Sequence, residues 1–326
     1  MDYINHLLGI PFGFILKLIY DTVNNYGLSL ILFTLFARLI MVPSTFSQQK
    51  GTAKSMRLQP KIRKIQAMYK GDNRRIQEET QALYKREGHN PMNAGCLPLL
   101  ITMPILFGLI EVIYKPLTYA LDINPAVIAE MVKALPALLK TTADKTLLKD
   151  TGDALKNTRL AELLIIKYID DFPKLQTLAG SSFQSIRNFA AHDFKFLGFD
   201  LGAIPSYKTG FSKLWAIPIV SGISSLASGV FSWFKQRQTN PEMAKNPAMG
   251  CMTFGMPLFS VYLGFQFPVG IGIYWIASNV FAFAQTVIMS FTHNPKKLIA
   301  KLMVDETVER RSKEANLKLV AARNAK

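Results

Sequence analysis

Residues 28–46 read LSLILFTLFARLIMVPSTF, an apolar run interrupted by a single charge at Arg38. A helix of about 20 apolar residues is long enough to cross the roughly 30 Å hydrocarbon core of a bilayer. Four more apolar runs follow, at 97–121, 214–234, 252–267 and 269–291. Because backbone polar groups in lipid must be satisfied internally, helical spans are expected. The sequence therefore predicts an all-α membrane protein with a core of five transmembrane helices.

The composition agrees with this prediction and narrows the chemistry of the protein. Of the 326 residues, 49% are hydrophobic, and 38 Lys and Arg against 22 Asp and Glu give a formal net charge of +16. The two cysteines form no CxxC pair, which argues against a disulfide scaffold and against zinc-ribbon or thioredoxin-type sites. No metal or redox site is expected, and the charge must lie mainly in loops.

The distribution of basic residues predicts the orientation in the membrane. Segments 47–96, 235–251 and 292–326 share one side of a five-span protein and hold 23 Lys and Arg against 9 Asp and Glu. The long segment 122–213 on the other side is nearly neutral, with 12 basic and 10 acidic residues. The basic side is expected to be cytoplasmic, which places the amino terminus outside and the carboxyl terminus inside.

The start of the chain holds a shorter apolar run at residues 4–20, which contains Gly9, Pro11, Gly13 and Lys17. We interpret it as an interfacial helix within an extracellular segment, 1–27. A sixth span is the alternative, and it would place the amino terminus inside. A cleaved signal peptide is not expected, since no basic residue precedes the run.

The cytoplasmic segment 47–96 predicts a basic antiparallel helical hairpin, with its turn at Gly71-Asp72-Asn73. Apolar residues at helical spacing form one stripe on each helix: Met56, Ile62, Ile65, Met68 and Tyr69, then Ile76, Leu83 and Tyr84. The basic residues expected to face outward are Arg57, Lys61, Arg63, Lys64, Arg74 and Arg75. The hairpin is either a docking surface for acidic lipid, substrate or protein, or a solvated handle that only enforces topology.

Two further segments lie outside the predicted spans. The basic tail 292–326 lacks an apolar stripe wide enough for a core, so a mobile or partly helical extension is expected. Its charge suits an anionic partner such as ribosomal RNA, or serves only as a positive-inside anchor.

The 122–213 segment predicts helices at 125–140 and 159–178, and five phenylalanines could pack it against the bundle or the bilayer: Phe183, Phe189, Phe194, Phe196 and Phe199.

Arg38 lies about ten residues, or roughly 15 Å, from either end of its span. A guanidinium at that depth costs at least about 2.5–3.5 kcal/mol, so it is expected to face a polar or hydrated cavity. Candidate lining residues are Ser225 and Ser228, from the stripe Ser221, Ser224, Ser225, Ser228 and Ser232, together with Trp275, Asn279 and Gln285. Close helix packing explains the serine stripe equally well. The alternative for Arg38 is an ion pair with Glu111, although Lys115 is a nearer partner for that acid.

Several short motifs occur in a fixed order along residues 28–121 and 200–291. They are Ala37-Arg38-Leu39, Met56-Arg57-Leu58-Gln59-Pro60, Asn90-Pro91 with Gly95-Cys96-Leu97-Pro98, Met103-Pro104-Ile105, Phe267-Pro268-Val269-Gly270, Tyr274-Trp275 and Ser278-Asn279. One such motif is a weak signal, but this many in the same order on the same spans are specific. On these residues the chain resembles the YidC family of membrane-protein insertases.

The resemblance implies a five-span core around a hydrophilic groove that opens to the cytosol and to lipid. It implies that Arg38 is the groove arginine, that Trp275 is the tryptophan of the family's Tyr-Trp motif, and that Ile105, Leu106, Leu258 and Phe259 form an apolar slide for an incoming helix. Nascent membrane proteins, the ribosome, a Sec translocon and the phospholipid bilayer are the implied partners, and no cofactor is implied. The chain lacks a large outer β-rich domain, which favours a Gram-positive-like member in a bacterial plasma membrane.

Two other classes of function fit the sequence less well. An anion transporter or channel could use the intramembrane arginine, but it usually carries more embedded charges and internal repeats. An intramembrane enzyme lacks support because His6, His89, His192 and His293 are scattered and no HExxH motif occurs. The protein is therefore expected not to be an enzyme, and the transporter is the alternative reading.

Overall fold

The computed structural model describes residues 2–88, 96–141, 158–206, 210–239, 247–292 and 295–324. In these residues the chain is all-α apart from one short β-hairpin, as expected. The helices are α1 Asp2–Val23, α2 Tyr26–Ile40, α3 Val42–Met68, α4 Asn73–Arg86, α5 Cys96–Tyr114, α6 Pro116–Tyr119, α7 Pro125–Thr141, α8 Ala161–Tyr168, α9 Pro173–Ala179, α10 Phe183–Asn188, α11 Ala216–Thr239, α12 Pro247–Gly264, α13 Val269–Thr292 and α14 Pro295–Asn324. The motif residues Asn90, Pro91 and Gly95, and residues 240–246 of the predicted loop 235–251, lie outside the described residues.

The chain divides into two compact units. The first unit comprises Met1–Leu39, Thr102–Phe231 and Pro247–Ala282. The second comprises Ile40–Ile101, Ser232–Asn246 and Phe283–Lys326. The first unit contains the polar network around Arg38, and the second contains the basic helical hairpin.

Two stretches among the described residues are long and apolar enough to cross a membrane, Lys213–Lys235 and Val269–Phe291. The pair α2 and α3, taken together across its break, also passes this test, and Met103–Tyr114 is a shorter apolar helix. The helices needed for a membrane protein are therefore present, whereas the core of five spans stays a prediction.

Prolines move several helix ends away from the predicted span ends. Pro43 has no backbone N–H and lies in the first turn of α3, so α2 ends at Ile40 and residues 42–46 begin the next helix. Pro116 likewise divides the predicted span 97–121 into α5 and α6. The predicted helix 125–140 agrees with α7, but the predicted helix 159–178 is two helices, because Pro173 starts α9.

Four aromatic rings form the centre of the core in the first unit. Phe189 lies 5.6 Å from Tyr20, 5.5 Å from Tyr26 and 5.2 Å from Phe194, measured between ring centroids. Tyr26 is fully buried, and its hydroxyl donates to the Val112 carbonyl at 3.0 Å, which satisfies the polar end of the ring. Phe189 and Phe194 thus pack the 122–213 segment against α1 and α2, as the sequence predicted for its phenylalanines.

The β-hairpin pairs β1, Lys195–Phe196, with β2, Phe199–Asp200. Phe196 packs against Gly27 so closely that a Cβ at Gly27 would collide with its side chain. Directly after the β-hairpin, the carbonyls of Leu201 and Ala203 accept from the amides of Gly270 and Val269, both at 2.9 Å. The first N–H groups of α13 are satisfied in this way, since a helix cannot satisfy them itself.

Glu162 in α8 is a buried carboxylate that holds the 122–213 segment to α6. It accepts hydrogen bonds from the Thr118 amide at 3.0 Å and the Thr118 hydroxyl at 2.6 Å. Burial raises the pKa of Glu162 to about 7, against the hydrogen bonds from Thr118 and the positive charge of Lys115, which lower it. This group is therefore sensitive to pH near neutrality.

In the second unit, α3 and α4 pack against each other as a helical hairpin around a small core of Leu58, Ile62 and Leu83. Asp72 caps α4 by accepting from the Arg75 amide at 3.1 Å. The predicted apolar stripe was wrong at Met68, which is 72% exposed, and it omitted Leu58. The tail differs from the expected mobile or partly helical extension, because α14 is one continuous helix of 30 residues that contacts α3.

Candidate functional site

Arg38 lies in the last turn of α2 and points toward α13. Its Nη2 atom donates to the Ser278 hydroxyl at 2.5 Å, and Ser278 is only 7% exposed. Within the described residues, no carboxylate forms an ion pair with this guanidinium. A neutral hydroxyl thus holds a half-buried positive charge in an apolar helix, and no acidic side chain in the described part of the chain compensates it.

Glu111, the acid considered as an alternative partner for Arg38, pairs with Lys115 instead. The Glu111 Oε1 and Lys115 Nζ atoms are 2.5 Å apart, and the Glu111 side chain is 6% exposed. The spacing of four residues along α5 brings the two groups together, as the sequence indicated.

Asn279 connects α13 with the serine stripe of α11. Its Nδ2 donates to the Ser224 hydroxyl at 3.1 Å, and the Ser228 hydroxyl donates to the Asn279 carbonyl at 3.3 Å. The Ser221 hydroxyl in turn lies 3.1 Å from the Ser260 hydroxyl on α12. A polar layer therefore crosses three helices.

The serine stripe also serves close packing, which was the second explanation for it. Between Ser221 and Ser228, Gly222 lies so near Val261 of α12 that a Cβ would collide with that side chain. At Gly229 an added Cβ would lie 3.2 Å from the Thr253 carbonyl. Small residues thus let α11 and α12 approach each other, and the serines provide hydrogen bonds at the same contact.

Three other groove candidates stand apart from these hydrogen bonds. Trp275 packs edge-to-face on Phe267, with 5.5 Å between the ring centroids. Gln285 belongs to the second unit, where its Nε2 donates to the Thr45 hydroxyl at 3.1 Å. Ser225 is half-buried on α11. The structure thus brings together Ser228 and Asn279, places Arg38 beside the neighbouring Ser278, and leaves Trp275 and Gln285 in other surroundings.

Ser278 and Ser260 are the polar contacts that sequence reasoning missed. Ser278 precedes Asn279 in a recognised motif, and Ser260 is a single serine in an apolar helix. Helical spacing tells which residues share a face of one helix, but not which faces of different helices meet. The motif position was therefore the available signal for Ser278, and no signal marked Ser260.

The predicted slide residues differ in exposure. Leu258 and Phe259 on α12 are 72% and 52% exposed, which suits contact with lipid or with an incoming helix. Ile105 and Leu106 on α5 are half-buried, and Leu106 packs against the core of the first unit. The large exposed apolar residues of α5 in the described part are Met103 and Phe107, at 39% and 38%.

The basic residues of the helical hairpin are also divided. Arg57 pairs with Glu87 at 3.0 Å and its side chain is only 18% exposed, so it does not face outward as predicted. Lys61 binds the same carboxylate from the surface, and its hydrogen bond lowers the pKa of Glu87. The other four basic residues are exposed: Arg63, Lys64, Arg74 and Arg75. Arg74 pairs with Glu78 of α4, and Arg75 pairs with Asp72, which caps α4.

No cluster of three or more His, Cys, Asp or Glu side chains in the described part of the chain could hold a metal ion. The polar groups around Arg38 and Asn279 are hydroxyls, amides and one guanidinium. This set can bind anions and hydrogen-bond a polypeptide backbone.

Comparison with known proteins adds to this geometry. Residues 18–296 match the family described as 60Kd inner membrane protein. The chain is 25% identical over 272 residues to the membrane protein insertase MisCA of Bacillus subtilis (strain 168), a match that covers 82% of this chain and 71% of that protein.

Two proteins named membrane protein insertase YidC are also similar. That of Granulibacter bethesdensis is 26% identical over 293 residues, which cover 90% of this chain and 39% of the relative. That of Syntrophus aciditrophicus is 38% identical over 117 residues, which cover 36% of this chain and 21% of the relative. The chain thus spans most of the Bacillus protein but well under half the length of these two YidC proteins.

Proposed function

The chain belongs to the 60Kd inner membrane protein family, and on that premise we propose that it is a membrane-protein insertase of the bacterial plasma membrane. The relatives described above are named membrane protein insertases. The single observation that carries the proposal is the Arg38 guanidinium, which lies in an apolar helix and, among the described residues, is bound by the Ser278 hydroxyl rather than by an acid. Nascent membrane proteins are its substrates and the lipid bilayer is where they are released.

We infer that Arg38 attracts acidic residues in the short extracellular tail of a substrate. At an effective dielectric constant of 20, a pair of opposite charges at 4 Å gains about 4 kcal/mol before desolvation, which is enough to guide a tail and weak enough to release it. With the cell interior negative, each acidic residue that moves outward gains about 2.3 kcal/mol per 100 mV. The reaction therefore needs no ATP and no metal ion, and no covalent bond is made.

After Arg38, the polar layer of Asn279 and its serine partners is the second part of the path that we propose for the substrate tail. Hydroxyl and amide groups can exchange hydrogen bonds with the backbone of a passing tail, which lipid cannot do. The exposed apolar residues Leu258 and Phe259, with Met103 and Phe107 on α5, then offer a surface along which the following helix moves into lipid. These two surfaces constitute the hydrophilic groove and the slide of the proposal.

The proposed topology has five spans, an outer amino terminus and a cytoplasmic carboxyl terminus. Contacts of α1 support its placement along the outer surface rather than across the membrane. Gly9 abuts Tyr119, Lys17 pairs with Asp122 at 2.7 Å, and the Tyr20 hydroxyl donates to Asp193 at 2.6 Å. These contacts extend over roughly 16 Å of helix, and all of them reach the end of α6 or the 122–213 segment.

The ribosome and a Sec translocon are the proposed cytoplasmic and membrane partners. Exposed Arg63 and Lys64 on the helical hairpin, and exposed basic residues of α14 such as Lys313, support a role for these elements in binding an anionic partner. In this proposal the insertase acts alone or together with a Sec translocon.

The test is insertion of a single-span substrate with a short acidic tail into liposomes that contain the purified protein, measured by protease protection of the tail. We expect Arg38→Ala to lose most of the insertion of this substrate and to retain insertion of a matched substrate with a neutral tail. Arg38→Lys keeps the charge and should retain much of the activity. Arg187→Ala, which removes an exposed guanidinium from the 122–213 segment, is the control.

Two outcomes would contradict the proposal in different ways. Equal insertion of acidic and neutral tails by the Arg38→Ala protein would exclude the role of the charge. Insertion no better than in empty liposomes would exclude an insertase that acts alone, and would favour an anion transporter or a chaperone that requires a translocon.

A further inference from the structure

The turn of the β-hairpin places an apolar side chain in an exposed and conformationally unfavourable position. Leu197 is 81% exposed and has φ +52°, and Gly198 follows with φ +78°. Two central residues with positive φ are typical of a type I′ turn, where asparagine followed by glycine is strongly preferred. Leucine is disfavoured there, and within this chain it buries little apolar surface in return. The position is therefore better explained by a contact outside the chain.

A second exposed apolar side chain lies near this turn. Phe211 is 85% exposed, and its ring centroid lies 5.3 Å from that of Trp215. Lys213 Nζ donates to the Gly198 carbonyl at 3.0 Å, which ties the turn to the chain that carries Phe211. Leu197 and Phe211 have the highest exposure among the large apolar residues described in the 122–213 segment.

The neighbours of this apolar pair indicate its level relative to the membrane. Lys213 is the first residue of the apolar stretch Lys213–Lys235, which can span a bilayer. Trp215 packs on Phe265 at 5.1 Å between ring centroids, and its indole donates to the Ser206 carbonyl at 3.1 Å. Tryptophan and lysine at the end of a span are typical of the boundary between lipid and water.

Other contacts place the β-hairpin at the same boundary. Phe196 abuts Gly27 at the beginning of α2, and Leu201 accepts from the Gly270 amide at the beginning of α13. The β-hairpin thus contacts the beginning of α2 and the residues that lead into α11, and the residue directly after it contacts the beginning of α13. At this level an exposed apolar pair can contact the acyl chains of lipid. Exposed Lys195 and Lys213 beside it can contact the anionic headgroups.

We propose that Leu197 and Phe211 form a lipid anchor that inserts into the outer leaflet of the bilayer and fixes the 122–213 segment to the membrane surface. The occupant of this apolar surface is phospholipid, with Lys195 and Lys213 at the level of its anionic headgroups. The inference rests on the orientation that is part of the proposed function, but it does not depend on the role of Arg38.

The test uses the full-length protein without any substrate, so that its result is independent of insertase activity. Cys96→Ser and Cys251→Ser remove the two native thiols, and single cysteines are introduced as Leu197→Cys, Phe211→Cys or Lys174→Cys. Each is labelled with an environment-sensitive fluorophore and reconstituted into vesicles of phosphatidylethanolamine and phosphatidylglycerol, with or without bromine atoms on the acyl chains. Lys174 is exposed on α9 and serves as the control position.

We expect labels at positions 197 and 211 to emit as in an apolar environment and to lose most of their fluorescence in brominated lipid, whereas the label at position 174 does neither. Quenching at 197 and 211 no greater than at 174 would overturn the proposal. Emission typical of an apolar environment without quenching by bromine, rising with the ratio of protein to lipid, would assign the surface to a second copy of the chain and also overturn it.

A second variant separates anchoring from folding. Leu197→Asn suits the positive φ of the turn better than leucine, so the β-hairpin should remain intact, as judged by hydrogen exchange of residues 194–201. With the label at position 211, this variant should show clearly weaker quenching by brominated lipid than the protein with Leu197. Unchanged quenching with an intact β-hairpin would exclude Leu197 from the anchor.

Discussion

At the scale of single residues, Glu162 makes the 122–213 segment sensitive to pH. Its pKa is raised from an ordinary value of 4.5 to about 7, so the folded chain binds more protons than the unfolded chain between these values. The stabilisation by this group is fully present below about pH 4.5 and is lost as the pH rises through about 7. This shift of the pKa corresponds to about 3 kcal/mol in the free energy of unfolding, at 1.36 kcal/mol for each pKa unit.

We therefore expect Glu162→Gln to protect α8 against hydrogen exchange more than the wild-type residue does at about pH 8, and almost equally at about pH 5. Glutamine keeps a carbonyl that can accept from the Thr118 amide and removes the cost of a buried charge. Comparison of the two proteins at each pH cancels the intrinsic dependence of exchange on pH. Glu130→Gln, which changes an exposed acid paired with Lys133, is the control. A ratio of protection that is the same at both pH values would contradict the prediction.

Gly27 tests the contact between α2 and the β-hairpin. An added methyl group collides with Phe196, and overpacking of this kind costs about 1–3 kcal/mol, while alanine returns at most about 1 kcal/mol of helix propensity. Gly27→Ala should therefore lower the thermal unfolding temperature of the purified protein. At Gly255 an added Cβ meets only the Cys251 sulfur at 3.9 Å, so Gly255→Ala should leave that temperature unchanged or raise it. Equal effects of the two substitutions would exclude a close contact at Gly27.

Arg38 and Ser278 illustrate how much of the site could be predicted from the sequence. A charge in an apolar run is conspicuous, and the cost of its burial predicts that a polar group lies near it. The partner is 240 residues away and is one of many serines, so its identity depends on how α2 and α13 pack. The same limit applies to Asn279. The serine stripe on α11 was predicted, but its spacing did not tell which serines meet Asn279. In the structure the Asn279 side chain donates to Ser224, and Ser228 donates to the Asn279 carbonyl.

At the scale of elements, one carboxylate joins the two arms of the helical hairpin in addition to its small apolar core. Glu87, just after α4, accepts from both Arg57 and Lys61 of α3. Hydrogen bonds between charged groups contribute about 1.5–3 kcal/mol when they are well shielded, and less at a surface. The lowered pKa of Glu87 means that this stabilisation is present at neutral pH and is lost as the pH falls through that pKa.

We expect Glu87→Gln to destabilise the helical hairpin by about 1 kcal/mol, which would appear as faster hydrogen exchange in α3 and α4. Glu78→Gln in the same hairpin breaks only the exposed pair with Arg74, four residues before it, and should change exchange by about 0.3–0.5 kcal/mol or less. If the two substitutions changed hydrogen exchange by the same small amount, the contacts of Glu87 would not contribute to joining α3 and α4.

The elements themselves were predicted unevenly from the sequence. Apolar runs and helical spacing predicted the positions of α7, α11 and α13 within a few residues. The breaks at Met41 and before Pro116 were not predicted, because a proline inside an apolar run either kinks a helix or starts a new one, and packing decides between them. Met68 was placed in the stripe by its spacing, but it is 72% exposed and does not belong to the small core of Leu58, Ile62 and Leu83.

At the scale of the whole molecule, the net charge of +16 is concentrated in the segments predicted to be cytoplasmic. The tail contributes nine basic residues, and eight of them lie on α14, a helix of 30 residues. Binding of such a surface to ribosomal RNA releases counterions, so the affinity falls steeply with added salt. The length and charge of α14 thus make it the element best suited to reach a ribosome.

Removal of residues 295–326 should therefore weaken co-sedimentation with ribosomes several-fold at low salt and flatten its dependence on salt concentration. Protease protection of a substrate that has already been released from the ribosome should be unchanged in the truncated protein, which controls for correct folding. Full ribosome binding by the truncated protein would assign the interaction to the helical hairpin instead.

The hydrogen bond between Arg38 and Ser278 also has a consequence for the time during which the protein itself is made. The two residues are 240 positions apart, and a ribosome adds about 5–20 residues per second, so Arg38 is synthesised about 12–48 s before its partner exists. Throughout this interval the guanidinium of the newborn chain must be accommodated by water, by a lipid phosphate or by another protein. Each new copy therefore passes through a stage in which its own α2 is a difficult substrate for the insertion machinery already present in the membrane.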